Sequence, residues 1–327
     1  MSEAVDGRDR GERYMEMMSR YLGPVVCQAL DDDDVTEVYV NAKDGVVRYD
    51  TRSRGRISSG THIEAHRLEM FLNSVASSLD LALSAENPRL EAELPAEFKG
   101  SRLQGFVPPV TPAPAFNIRK PATLIYSLDA YAEAGMISAE HREHLGRAVV
   151  DHRNILIVGG TNSGKTTLAN AVLREVTDLC PRERIVILED TVELQCAAAD
   201  YLALRSGPTV PLSLLVRSAL RTSPNRIVVG EVRGAEALDL LDAWATGHPG
   251  GVATVHASSA EGALLRLDRL AQRANVPPQR QLVAEAIDVI VVIEGSSRGR
   301  RVIDLAYVGG LDVHGQFVVR HHPSDIN

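Results

Sequence analysis

Three observations predict an α/β fold class for this chain of 327 residues. Short, nearly unbroken apolar runs fill its second half. Helical patterns separate them. The first run leads directly into GGTNSGKTT, residues 159–167. Apolar strands without alternation are buried on both faces, as in a parallel sheet covered by helices. The sequence therefore reads as a RecA-like P-loop NTPase C-terminal domain with a smaller α+β N-terminal domain. The expected bounds are 1–125 and 135–327, with the joint between 121 and 135.

The first half is expected to open with a helix over 10–30, because Tyr14, Met17, Met18, Tyr21 and Leu22 recur at helical spacing. The acidic run Asp31–Asp34 reads as a solvated helix end, since consecutive acids lack the spacing of a calcium loop. TEVYVN (36–41) and GVVRYDT (45–51) read as strands around a Lys43-Asp44-Gly45 turn. Ile63, Leu68, Phe71, Leu72, Val75 and Leu79 predict a second helix over 62–82. RLEAELP, SRLQGFVPP and AFNIRKP alternate and end in proline, so they read as further strands. The Pro-rich PPVTPAPA (108–115) is placed as a loop inside the N-terminal domain, because a strand-like segment follows it. In the second half the strands are NILIVGG (154–160), RIVILED (184–190), NRIVVGE (225–231), GGVATVHA (250–257) and DVIVVIEG (288–295).

GGTNSGKTT matches the G-x-x-x-x-G-K-[ST] phosphate loop, and it stands between a strand and a helix pattern as that loop must. Gly159, Gly160, Thr161, Asn162, Ser163, Gly164, Lys165, Thr166 and Thr167 are the candidate nucleotide cradle. The glycines let backbone N–H groups approach the phosphates. Lys165 supplies charge at the β- and γ-phosphates, and Thr166 offers its hydroxyl to Mg²⁺. The helix that starts here adds a favourable field for the anion. ATP and Mg²⁺ are the expected cofactors.

Hydrolysis also needs an acid that orients water. Two strand ends offer one: ILEDTVEL, with Glu189, Asp190 and Glu193, and IVVGEVRG, with Glu231. Functional residues collect at the carboxyl ends of strands in open α/β sheets, so either cluster could serve. Gly230 stands where a Walker-B aspartate is usual, which leaves Glu231 to hold the Mg²⁺ shell or the attacking water. Glu193 reads equally as a functional acid or as a helix-start carboxylate. His256, at the end of its apolar run, joins Glu231, Glu189 and Lys165 as a catalytic candidate; His248 reads as a loop residue. Arg217 and Arg221, four apart, are expected on one helix face, where one acts on the γ-phosphate or both make surface salt bridges. Arg233, just after Glu231, is a further candidate.

The formal net charge is −8, and no basic, aromatic-interleaved stretch occurs. No direct nucleic-acid binding is expected. No apolar run reaches the length of a membrane span, and the first 15 residues lack a signal-peptide core. Cys27, Cys180 and Cys196 form no C-x-x-C pair, which argues against a zinc module and a disulfide framework. The default reading is a cytoplasmic protein.

The order GGTNSGKTT, ILEDTVEL, RTSPNRIVVGEVRG and GHPGGVATVHA resembles the secretion-ATPase superfamily: its Walker A, Asp box, Walker B and His box. The resemblance is strong over about 85–295. GEVRGAEALDLLDAWATGHPGG and FNIRKP make the chain most similar to the type IV secretion traffic ATPases of conjugal transfer. The four-cysteine module of the type II branch and the AIRNLIRE-like stretch of retraction motors are absent. Asn162 departs from the group, where glycine is common. The resemblance implies a homohexameric ring at the inner membrane face, peripheral to the bilayer, docked on secretion or conjugation channel proteins. It further implies nucleotide bound between the two domains, with Arg119, and with less weight Arg102, reaching the phosphates. A pilus-assembly ATPase of the same superfamily is the alternative.

Overall fold

The computed structural model describes residues 16–121, 125–207, 209–296 and 299–323. The chain divides into two compact units, Met1–Thr123 and Leu124–Asn327.

In the N-terminal unit, residues 16–22 are helical, and Gly23 at φ 80° separates them from α1 (Pro24–Asp31). The expected single helix over 10–30 is thus two helices, with residues 10–15 outside the described residues. Pro24 explains the break: without an N–H, proline is tolerated only in a first helical turn. The acids after α1 face protein donors. Lys99 Nζ lies 2.6 Å from Asp33, and the Ser53 N–H donates to Asp34 at 3.0 Å.

Strands β1 (Val35–Val40), β2 (Val46–Thr51) and β3 (Gly55–His62) precede helix α2 (Ala65–Ser78), which is shorter than expected. Then come β4 (Arg89–Glu93), β5 (Arg102–Phe106) and β6 (Ala115–Arg119). The sheet runs β3-β2-β1-β6-β5-β4 and is antiparallel throughout. Leu68, Phe71, Leu72 and Val75 of α2 pack with Met18, Leu22 and Val26 against Val38, Leu90, Leu103 and Ile118 of the sheet. The Pro-rich segment 108–115 connects β5 to β6 within this unit. Strand β3 was not foreseen, because GRISSGTH carries one large apolar residue and its burial pattern never reaches the core.

The C-terminal unit begins with α3 (Leu128–Glu133) and α4 (Ala139–Val150), each capped by a serine hydroxyl, Ser127 and Ser138, that accepts a first-turn N–H. Next come β7 (Ile155–Gly159), α5 (Lys165–Leu179), β8 (Ile185–Glu189), β9 (Tyr201–Arg205), α6 (Leu212–Ala219), β10 (Arg226–Val229) and α7 (Glu236–Ala245). The chain continues through β11 (Val252–His256), α8 (Ala260–Ala271), α9 (Arg280–Ala286), β12 (Val289–Ser296), β13 (Gly299–Leu311) and β14 (Phe317–Pro323).

The sheet order is β14-β13-β12-β7-β11-β10-β8-β9. The five foreseen strands are its parallel centre, β12-β7-β11-β10-β8. Burial on both faces explains their unbroken apolarity. Along β7, Leu156 and Val158 join one core with α6–α9, while Ile155 and Ile157 join the other with α3–α5. Three edge strands were missed. β9 adds in parallel, with alternating exposure, and β13 and β14 add antiparallel. Among the described residues no helix is long and apolar enough to cross a membrane.

Candidate nucleotide site

Parallel strands deliver their carboxyl ends to one edge, and that edge of the C-terminal sheet gathers the candidate residues. β7 runs into the phosphate loop, β8 ends at Glu189, Glu231 follows β10, and β11 ends at His256. The ladder pairs His256 directly with Gly159, so backbone register alone sets the histidine beside the loop.

The loop's own shape depends on two left-handed residues, Asn162 at φ 59° and Gly164 at φ 98°. Asparagine is among the few side chains that tolerate this region, which accounts for Asn162 where glycine is common. Lys165 is buried at 6% exposure. Its Nζ donates to Gly160 O at 2.8 Å and to His256 Nδ1 at 3.1 Å. An ammonium offers only donors, so Nδ1 is the acceptor and the neutral ring carries its proton on Nε2. That N–H faces Glu231 Oε1 at 3.0 Å. Burial pushes the His256 pKa down. The Glu231 charge opposes this, but Lys165, Arg233 and Arg266 reinforce it, leaving the ring below its ordinary value.

Arg233 ties the two acid-bearing strand ends together. Its guanidinium donates to Asp190 and to Glu231, each at 2.6 Å. Burial pushes the Glu231 carboxyl up. The Arg233 hydrogen bond and charge, with His256 and Lys165, outweigh that and hold it below the ordinary carboxylate range. Glu231 is therefore an anion at neutral pH.

Glu189 sits differently. It is 5% exposed, and its Oε1 accepts the N–H groups of Glu193 and Leu194 at 3.0 and 2.9 Å. Burial is the largest influence on its carboxyl. The two N–H bonds oppose it and the Glu193 and Asp190 charges add to it, so the pKa is pushed up to about 7. Gly230 has its reason here: a Cβ at that position would stand 3.0 Å from Glu189 Cγ.

Glu193 lies in an irregular segment, so its reading as a helix-start carboxylate is set aside. The Thr166 hydroxyl donates to its Oε2 at 3.2 Å. Asn170 fixes that approach from one helical turn beyond Thr166, donating to Glu193 O and accepting from the Gln195 N–H. Sequence reasoning missed Asn170, although its place four residues after Thr166 puts both on one face of α5.

Thr166, Glu189, Asp190, Thr191, Glu193, Gly230, Glu231 and Arg233 line one open cleft. Its carboxylate and hydroxyl oxygens suit a hard divalent cation such as Mg²⁺.

Arg217 is turned away. Its Nε donates to Asp239 at 2.7 Å, which makes it a salt-bridge residue of α6. Arg221 lies beyond the end of α6, so the expected shared helix face is not formed. Arg102 and Arg119 belong to the N-terminal unit, directly opposite each other on β5 and β6, and Arg119 Nε lies 3.9 Å from Glu37.

A phosphate loop between a central parallel strand and its helix, flanked by an ionised glutamate and a histidine on neighbouring strand ends, defines a P-loop NTPase with a RecA-like core. Residues 87–295 match the family described as Type II/IV secretion system protein, and the chain belongs to that family. It is 42% identical over 296 residues to the probable conjugal transfer protein TrbB of Sinorhizobium fredii, covering 90% of each chain. It is 35% identical to the type IV secretion system protein PtlH of Bordetella pertussis, covering 86% of this chain and 93% of that one. The fold is shared with the ATPase DotB of Legionella pneumophila, at a TM-score of 0.60 and 19% identity, over 93% of this chain and 79% of the other.

Proposed function

We propose that this chain hydrolyses ATP to power type IV secretion of the conjugal-transfer kind. The observation that carries the reading is the unbroken run Lys165–His256–Glu231, which links the phosphate loop to an ionised carboxylate through one neutral imidazole. Lys165 and the loop N–H groups hold the β- and γ-phosphates. Glu231 orients the attacking water. His256 keeps Glu231 and Lys165 in register. Glu189, through the N–H groups its Oε1 accepts, is a positioning residue that holds the Glu193 segment against Thr166. Thr166 and Glu231, with Glu193 beside them, would hold Mg²⁺, which when bound neutralises charge on the departing phosphoryl group.

The working form is a homohexameric ring docked on channel proteins at the inner membrane. The test is ATP turnover by the purified chain with Mg²⁺, its loss on adding a chelator, and sizing with a non-hydrolysable ATP analogue. Absence of Mg²⁺-dependent turnover would overturn the reading, and a monomer under all nucleotide conditions would remove the ring.

A further inference from the structure

Helix α4 and the edge strand β14 bring together Glu140, His144 and His322, away from the strand ends that carry the nucleotide site. One donor atom from each lies within 4.8 Å of the other two. Glu140 and His144 are four residues apart on one helix face, a spacing that points two ligands at one ion. Their Oε1 and Nε2 atoms stand 3.7 Å apart. That is too long for a hydrogen bond. It is close to the roughly 3.3 Å that a tetrahedral zinc with N and O ligands at about 2.0–2.2 Å sets between neighbouring donors.

Two further contacts prepare the ligands. His144 Nδ1 is hydrogen-bonded to Tyr307 Oη at 2.7 Å, which leaves Nε2 as the ring's coordinating nitrogen. A partner on the far ring nitrogen is the usual support of a metal-bound histidine. On β14, the His322 carbonyl accepts from the buried His141 ring, so the strand end is tied to the same helix. The His144, His322 and Tyr307 rings lie mutually 5.0–5.8 Å apart between centroids.

We propose that Glu140, His144 and His322 form a divalent-metal site of the zinc class, closed by one water, that clips β14 to α4. Imidazole and carboxylate ligands with an open fourth position suit Zn²⁺. On binding, His144 Nε2 and a His322 nitrogen coordinate as lone pairs, and His144 Nδ1–H donates to Tyr307.

The test uses untagged full-length protein without nucleotide or Mg²⁺, titrated with Zn²⁺ and read by calorimetry and thermal unfolding. One equivalent is expected to bind and raise Tm. His144→Ala and His322→Ala should lose that equivalent and the Tm rise while melting normally without metal. Tyr307→Phe should weaken binding about 10–100-fold, the usual cost of an outer partner. His321→Ala should bind as the native chain does, because His321 is held by Asp304 and Glu261 at 2.6 and 2.7 Å. Lack of stoichiometric binding, or binding unchanged in both His144→Ala and His322→Ala, would overturn the site. Should both variants unfold, Glu140→Gln, on an exposed position, carries the same test, with loss of the equivalent expected and full retention against it.

Discussion

Glu189, Glu231 and His256 lie at or just past the carboxyl ends of three C-terminal strands, whereas Glu37, Arg119, Arg102 and Glu93 form a row across four neighbouring strands of the N-terminal sheet. In the parallel sheet every carboxyl end arrives at the same edge, so residues distant in sequence meet because of topology. In the antiparallel sheet ends alternate, and only register brings charges together. The two arginines opposite each other repel. An acid on either side, Glu37 and Glu93, offsets that within the row. Charge in the first unit is thus balanced along a strand-crossing line, while charge in the second is concentrated at a point.

The largest test of this contrast is Lys165→Ala, which is expected to reduce ATP turnover to background in a steady-state phosphate-release assay; retained turnover would mean the concentrated site is not where cleavage occurs. Glu231→Gln should keep nucleotide binding within a few-fold while turnover falls by about 10²-fold or more, the scale of one transition-state group. Equal loss of binding would give Glu231 a folding role instead.

Arg119→Ala asks whether the row contributes to the point. A lost charge-assisted hydrogen bond to phosphate costs about 1.5–3 kcal/mol, or on the order of 10–10²-fold in kcat/KM. Native kinetics would confine the reaction to the C-terminal unit.

A smaller effect is expected from Glu189→Gln, read as unfolding free energy against pH in Mg²⁺-free buffer. The Glu189 pKa is raised in the fold from 4.5 to about 7. Its stabilising contribution is full below 4.5 and is lost as pH rises through about 7. The native chain should therefore lose at most ~3 kcal/mol relative to the glutamine variant across that window. Parallel curves would show that Glu189 is not held protonated. The smallest effect is Arg217→Ala, whose exposed pairing with Asp239 should leave turnover within about twofold and the melting temperature essentially unchanged.

Legibility followed the same division. β7, β8, β10, β11 and β12 were readable because burial on both faces writes an unbroken apolar run. β3, β9 and the β13–β14 pair were not, since one side or an edge faces water and the apolar signal fades. The phosphate loop and His256 were readable from motif order. The Thr166–Glu193 contact was not, because Asn170 creates it through backbone atoms that carry no sequence signature. Arg221 was misplaced for a simple reason: helical spacing was carried two residues past Ala219, where the helix ends.

The imidazole pinned between an ammonium and a carboxylate has one further implication. Acidification that adds a second proton to His256 takes away the acceptor for Lys165 and sets two cations face to face. The ring thus acts as a fuse, carrying coupling while neutral and breaking it when charged. Because burial and the neighbouring cations hold its titration below the ordinary histidine value, the fuse stays whole at neutral pH and blows on acidification.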